Sequence, residues 1–151
     1  MRLRTKIIAG LTAVLAGAGL FAVSPLASAE DSGVRCTGSR VIRCITTGIY
    51  NGSGTGYDSS WASASVLDAD GGPNLDVKVT HVAIQRYYSG SWHTLKRSYD
   101  FDGWFIHREE ADTAHAGCNS RPHRAKVLVS WRYHGSSTVH RDWLYGPSLH
   151  C

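Results

Sequence analysis

An all-β, antiparallel β-sandwich is the fold class that this sequence predicts, and three observations support it. Runs rich in β-branched and aromatic residues alternate with polar residues at every second position, the period of a strand with one buried face. Gly, Asp, Asn and Ser mark turns between these runs at short intervals. Counting the runs gives about seven to eight strands and little helix. A small closed β-barrel is the alternative architecture.

The first 29 residues are expected to be a secretory signal peptide. Three basic residues precede an uncharged apolar run over residues 7–23, and Ala27-Ser28-Ala29 supplies the small residues that signal peptidase requires. An uncleaved anchor is the alternative, because a run of seventeen residues is near the lower length limit for crossing a bilayer. We therefore expect a secreted, extracellular chain with no membrane attachment. It would consist of a polar N-terminal arm, residues 30–35, and a single β-sandwich domain, residues 36–151.

Removal of this segment brings the net charge close to zero. The full sequence carries 16 Lys and Arg against 12 Asp and Glu, a formal charge of +4. Three of the cations and none of the acids lie in the first 29 residues, so the secreted product keeps 13 cations and 12 acids, or +1. No run of Lys or Arg occurs elsewhere, so nucleic acid is not an expected partner.

Cysteine usage predicts two disulfides, because an exported chain with an even number of cysteines normally pairs them. The four are Cys36, Cys44, Cys118 and Cys151. Three pairings are open, and we favour Cys36–Cys44 with Cys118–Cys151. On the chain-entropy model these two loops would stabilise the fold by about 2.5 and about 4 kcal/mol. A zinc site is not expected, because no CxxC pair occurs and oxidising conditions favour the bridge over the thiolate.

The strands are taken in chain order. Two short strands around a Gly38-Ser39 turn are predicted between Val34 and Ile49, and the glycine-rich stretch from Tyr50 to Ser60 reads as a surface loop. Residues 61–67 alternate strictly as the next strand. Residues 68–73, DADGGP, end it in a turn.

The central element is a hairpin from Leu75 to Phe101, with a tight turn at Ser89-Gly90-Ser91. Its apolar positions shift from odd to even numbers near Thr80-His81, which predicts a β-bulge or a short break there. From 102 to 123 the strand pattern weakens, and one or two helical turns over Glu109 to Ala116 are as well supported as a loop.

The clearest single strand begins after Pro122. Ala125, Val127 and Val129 alternate with Lys126 and Leu128, and the alternation continues to Tyr133. A turn at Gly135-Ser136 then leads into the last long strand, predicted over 138–144.

The segment Ala83 to Leu95, AIQRYYSGSWHTL, resembles a hairpin of bacterial immunoglobulin-like modules, in which a Gln-Arg strand, a glycine turn and a tryptophan follow in that order. The resemblance implies an immunoglobulin-like β-sandwich. It implies shape only, because such modules do not share a chemistry.

Metal, cofactor and catalytic functions are not expected. The eight histidines form no HExxH or other recognisable ligand spacing, although His134 and His140 could face each other across a turn. Two Asp-x-Asp-Gly stretches lack the further oxygen ligands of a calcium loop. The densest ionisable cluster places Glu109, Glu110 and Asp112 near two histidines, His107 and His115. The sequence has no nucleophile-elbow motif such as GxSxG, so this cluster is interpreted as a solvated loop. No enzyme activity is therefore expected.

Aromatic residues carry the expectation of a binding surface. Five tryptophans and seven tyrosines are too many for one small core. Tyr87 and Tyr88 are adjacent on one strand, so at least one should face outward. The candidate binding residues are Tyr87, Tyr88, Trp92, Trp104 and Arg40. The alternative is that the aromatics only thicken the two inner faces of the sandwich.

The function predicted first is a non-enzymatic binding or adaptor module whose partner is another secreted protein. In size, export signal, low charge and predicted sandwich, the chain is similar to the small adaptor subunits of actinobacterial umbrella toxin particles. That resemblance implies a role in linking subunits of an extracellular toxin complex.

Two further functions stay open. The loop Cys36 to Cys44 is similar to the reactive loop of Bowman–Birk protease inhibitors, although Gly38 and Val41 stand where that family has a specificity residue and a stiffening proline. Arg40 would then have to supply specificity. The other function is a carbohydrate- or cell-wall-binding module, in which Tyr87 or Trp104 stacks on sugar rings.

Overall fold

The computed structural model describes residues 29–51, 58–99 and 102–151, with side chains from residue 32 to 50 in the first range. Within these ranges the chain forms eleven strands and no helix. The strands are β1 Ala29–Thr37, β2 Val41–Asn51, β3 Ser59–Asp68, β4 Leu75–Tyr88, β5 Ser91–Tyr99, β6 Phe105–Ile106, β7 Arg108–Asp112, β8 Ala116–Gly117, β9 Pro122–Tyr133, β10 His140–Tyr145 and β11 Leu149–His150. Eight of them have five residues or more, in line with the predicted seven to eight.

Two antiparallel sheets pack face to face. Sheet A has the order β1-β2-β3-β7, with β8 also paired to β3. Sheet B has the order β10-β9-β4-β5, with β6 paired to β4 and β11 to β9. Each sheet ends in its own edge strands, so the predicted β-sandwich is confirmed and the alternative of a closed barrel is wrong.

The core forms because the inward positions of facing strands are aliphatic. In β3 every second residue is buried from Ser60 to Asp68, and β9 shows the same alternation from His123 to Val129. β3 packs across on β4, and β2 packs on β9. The aliphatic side chains at the centre are Ile45, Val66, Leu75, Val77, Val79, Val82, Ile84, Val127 and Val129.

The predicted central hairpin is confirmed, and so is its irregularity. Ser89 and Gly90 form the two-residue turn with φ of 51° and 80°, a combination in which glycine at the second position avoids steric strain. The register of β4 against β9 shifts between Val79 and His81. The buried Glu109 of β7 accepts a hydrogen bond from the backbone N–H of Val79 at this bulge. A carboxylate from the opposite sheet therefore satisfies a donor beside the place where the ladder is interrupted.

Both favoured disulfides are present. Cys36 and Cys44 are directly paired residues of β1 and β2, with their Cα atoms 4.1 Å apart. Cys118–Cys151 joins the segment before β9 to the last residue, with Cα atoms 6.1 Å apart.

The local structure differs from the prediction at the N-terminal arm and at residues 109–116. The polar arm expected at residues 30–35 is not separate from the sheets, because these residues lie within β1 and pair with β2. The helical turns considered for 109–116 are absent, and β7, β8 and the short connection between them stand there. The predicted signal peptide, residues 1–29, lies outside the described residues as far as residue 28. Of the surface loop predicted from Tyr50 to Ser60, residues 52–57 also lie outside them, whereas its two ends belong to β2 and β3 and are not loop. No described helix is long and apolar enough to cross a bilayer.

Candidate functional site

The feature that stands out is a set of aromatic and basic side chains on the outer surface of sheet B. They occupy outward positions of β4, β5, β9 and β10, between the β4–β5 turn and the bulge. We call this set the basic aromatic face. Its members are His81, Tyr87, Trp92, Arg97, Tyr99, Arg124, Lys126, Trp143 and Tyr145.

Strand alternation and register together create the face. Val82, Ile84 and Val127 point into the core, so the residues between them on β4 and β9 point outward. Lys126 of β9 is directly opposite Tyr145 of β10. At the β4–β5 turn, Tyr87 is opposite Trp92 in the same way. The face therefore combines a local hairpin pair with pairs that the pairing of β9 with β4 and β10 brings together.

Cations lie over the aromatic rings of this face. The Arg124 guanidinium carbon is 4.1 Å from the Trp92 ring centroid and 4.6 Å from that of Tyr145. Lys126 Nζ is 4.3 Å from the Trp143 ring centroid and 5.9 Å from that of Tyr145. These distances are within the range of cation–π attraction, which is stronger where the cation is partly desolvated.

Ring-to-ring contacts extend the face toward the bulge and toward the turn. His81 makes edge contacts with Tyr99 at 5.0 Å and with Trp143 at 5.5 Å between ring centroids. Tyr87 and Trp92 are 5.3 Å apart and tilted by 59°. Four of the rings keep about two fifths of their surface exposed, namely Tyr87 at 39%, Tyr99 at 44%, Trp143 at 43% and Tyr145 at 40%.

The face carries three basic side chains and, within the described part of the chain, no acid that pairs with them. Among the residues that the structure describes, no carboxylate lies within ion-pair distance of Arg97, Arg124 or Lys126. Burial lowers the pKa of His81, and the charges of Lys126 and Arg97 lower it further. Burial also lowers the pKa of Arg124 from its ordinary value, an effect that Tyr145 opposes.

Two of the sequence-predicted binding residues, Tyr87 and Trp92, belong to this face. Tyr88 belongs to a different surface, where it stacks on His93 with ring centroids 3.7 Å apart and lies within 6 Å of the Arg86 and Arg121 guanidinium groups. The adjacent tyrosines therefore contact different groups, as strand geometry predicts.

Trp104 and Arg40 are not part of the face. The Arg132 guanidinium carbon is 4.4 Å from the Trp104 ring centroid. Arg40 donates a hydrogen bond to the Tyr133 hydroxyl at 3.2 Å and pairs with Asp70 at 3.5 Å. Both side chains are already engaged within the fold, so the structure does not bring the five candidates together.

Sequence reasoning missed most of the face, namely His81, Arg97, Tyr99, Arg124, Lys126, Trp143 and Tyr145. The available signal was the spacing of two between Arg124 and Lys126, and between Trp143 and Tyr145, which places each pair on one face of its strand. That signal does not say which strands are neighbours, and the neighbours decide which ring meets which cation.

The densest ionisable cluster of the sequence is dispersed in the structure. Glu109 points inward from β7, whereas Glu110 is exposed and pairs with Arg108. His115 Nδ1 lies 2.8 Å from the Ser59 hydroxyl, at the other end of this segment. The geometry therefore does not assemble an acid–base pair from these groups.

A second group of charged side chains surrounds Asp76 and consists of Arg132 and His134. The buried Asp76 carboxylate accepts from Arg132 Nε at 2.9 Å and lies 2.7 Å from His134 Nδ1. The hydrogen bond with His134 lowers the pKa of Asp76 against the opposing effect of burial, and Arg132 adds to the lowering. The hydrogen bonds of His134 to described residues go to Asp76 and to the backbone carbonyl of Asn74.

Cys118, His123 and Cys151 are the described residues whose ligand atoms come close enough to hold a metal ion. The fully buried His123 has Nδ1 3.9 Å from Cys118 Sγ and 3.6 Å from Cys151 Sγ, and 2.8 Å from the Arg121 carbonyl oxygen. Both sulfurs are bonded to each other and are not thiolates, so the trio offers one nitrogen ligand in this redox state.

A groove of about 480 Å³ crosses the outer surface of sheet A. Val34 and Cys44 line one side of it, and Glu110 and Asp112 of β7 line the other. Its floor consists of small residues, including Ser63 and Ser65. Since Glu110 already pairs with Arg108, this groove offers less unmatched charge than the basic aromatic face.

Comparison with known proteins adds no relative: no family model, no curated protein and no solved structure matches the chain.

Proposed function

We propose that this chain is a secreted, non-enzymatic protein-binding module that docks another secreted protein through the basic aromatic face. The observation that carries the proposal is the continuous set of ring and cation contacts on sheet B, whose cations pair with no acid of the described residues. Tyr, Trp and Arg are the residues that dominate the binding energy of protein interfaces. An adaptor that links subunits of an extracellular toxin complex is the more specific form of this proposal, and it rests on the similarity of profile described above.

Pre-ordering of the side chains supports the proposal. Each ring of the face is held by a neighbouring ring or cation, as Trp92 is held by Tyr87 and Arg124. Side chains that are ordered before binding lose little conformational entropy when a partner docks. From Tyr87 to His81 the face spans about 20 Å along β4, and its four strands span about 15 Å, which suits the central patch of a protein interface.

The same contacts count against a carbohydrate-binding module. Sugar stacking needs an accessible ring face, but Arg124 lies over Trp92 and Lys126 lies over Trp143. The sequence-predicted stacking residue Trp104 has Arg132 over its ring. Tilts of 59° and 72° between neighbouring rings also prevent a flat platform.

The inhibitor function receives little support. A reactive loop must present an extended segment to the protease, whereas Cys36 and Cys44 lie in the paired strands β1 and β2. Arg40, the side chain that would have to enter a specificity pocket, is engaged with Tyr133 and Asp70.

The test is affinity capture from native culture supernatant with tagged chain 30–151, in three forms: wild type, Tyr87→Ser with Trp143→Ser, and Tyr133→Ser. Tyr133 is exposed and lies outside the face, so it is the matched control. We expect one stoichiometric secreted protein to copurify with the wild type and the control but not with the double variant. Recovery of the chain alone, or equal capture by all three folded forms, would contradict the proposal.

A further inference from the structure

Arg124 is the best-supported anchor on the basic aromatic face, because its position is fixed while most of its donors are unused. Its guanidinium lies between the Trp92 and Tyr145 rings. Its Nε donates to Gln85 Oε1 at 3.2 Å. The two terminal amino groups of Arg124 make no hydrogen bond with any residue that the structure describes. A guanidinium fixed in this way presents donors in the planar fork that suits a carboxylate.

The surrounding charges have the same sign. Lys126 and Arg97 lie opposite Ala83 on the two sides of β4, and none of the acids in the described ranges pairs with either cation. Cations on an exposed sheet would normally be scattered among acids, as Arg108 and Glu110 are on β7. An uncompensated charge on a partly desolvated aromatic surface favours a partner of opposite charge.

We infer that the face recognises an acidic protein segment in which carboxylate side chains alternate with aromatic or apolar ones, with one carboxylate bound by Arg124. This inference rests on the proposed function and specifies the partner of the same face. The carboxylates match Arg124, Lys126 and Arg97, and the apolar side chains cover the exposed parts of Tyr87, Trp143 and Tyr145. A sulfated glycan offers anions but no apolar side chains for those rings.

Three probes test the inference against chain 30–151: a glutamate–tyrosine copolymer, a lysine–tyrosine copolymer and heparin. Binding is measured by the fluorescence of the tryptophans at low and at physiological salt. The test variant is Arg124→Met with Lys126→Met, which removes two charges and keeps the aliphatic stems. The control is Lys96→Met with Arg121→Met, which removes two exposed charges outside the face.

The expected result is that the glutamate–tyrosine copolymer binds and the lysine–tyrosine copolymer does not. We expect binding to weaken about tenfold or more in the test variant, little in the control, and to fall as salt rises. Equal weakening in test and control would show general charge attraction and overturn the inference. Binding of heparin without the glutamate–tyrosine copolymer would overturn both the inference and the protein-partner proposal.

The supernatant capture described above separates the two proposals. If the Tyr87→Ser, Trp143→Ser variant loses its partner while Arg124→Met, Lys126→Met keeps it, the face binds protein and the acidic-segment inference is wrong. If neither variant changes capture, the proposed function itself fails.

Discussion

At the scale of single residues, the sandwich depends on buried polar groups that each satisfy a defined backbone partner. Thr47 is fully buried on the inner side of sheet A. Its hydroxyl oxygen accepts from the Ala125 N–H of sheet B at 3.0 Å, and the same hydroxyl donates to the Pro147 carbonyl at 2.8 Å. One side chain therefore satisfies two backbone groups and connects the two sheets where β10 gives way to the C-terminal segment.

Thr47→Val should reduce the free energy of unfolding by about 1–3 kcal/mol, because it keeps the shape and leaves a buried donor and acceptor unpaired. Urea unfolding followed by tryptophan fluorescence measures the change. Thr46→Val is the control, since Thr46 immediately precedes Thr47 in β2 and lines the groove on the outer surface of sheet A. Its expected change is within about 0.5 kcal/mol. Equal losses in both variants would show that the hydroxyl of Thr47 is not the cause.

At the scale of elements, the pairing of β2 with β3 includes a contact that only glycine permits. Gly48 is directly opposite Trp61 in this pair. A Cβ built on Gly48 would overlap the Trp61 indole, so the ring lies against the bare backbone of β2. A large ring covering a strand glycine compensates for the missing side chain and shields the ladder from water.

Gly48→Ala should lower the free energy of unfolding by about 1–3 kcal/mol through overpacking, despite the better strand propensity of alanine. The loss should shrink in a Trp61→Ala background, where the overlap is absent, and thermal unfolding of the four proteins in the cycle measures this coupling. Gly117→Ala is the control because no atom lies within 4 Å of its added Cβ. A cost that is unchanged without the indole would contradict this packing explanation.

At the scale of the whole molecule, two histidines make stability depend on pH. Burial is the main reason that the pKa values of His81 and His123 are lower in the folded chain than their ordinary 6.5. As pH falls through 6.5, the unfolded chain takes up protons that the folded chain does not, so unfolding becomes easier. Asp76 affects stability at lower pH. Its pKa in the folded chain is below the ordinary 3.8, so the stability that its carboxylate contributes is lost only in stronger acid.

The free energy of unfolding should therefore decline from pH 7 toward pH 5 and decline further below pH 3.8. Urea unfolding at a series of pH values measures both declines. His81→Gln should make the decline between pH 7 and pH 5 shallower, because one of the two shifted groups is removed. An unchanged slope in that variant would show that His81 does not contribute.

The candidate site was predicted only in part, and the reason is geometric. Tyr87 and Trp92 could be chosen from the sequence because a two-residue turn fixes their pairing locally. Arg124 meets Trp92 only because β9 pairs with β4 on the side opposite to β5, a fact that local pattern does not contain. Tyr88, Trp104 and Arg40 contact groups outside this face, and local pattern does not contain that placement either.

The sequence by itself determined the period-two pattern, the central hairpin with its irregularity and the presence of two disulfides, because each depends on local alternation, turn chemistry or cysteine count. The pairing of the four cysteines required the structure. It also indicated an excess of aromatic side chains over what a small core can hold. Only the tertiary structure decided the order of strands in each sheet, the inward direction of Glu109 and the assembly of the basic aromatic face. These features depend on long-range register, in which a shift of one residue would turn every side chain of a strand to the other face.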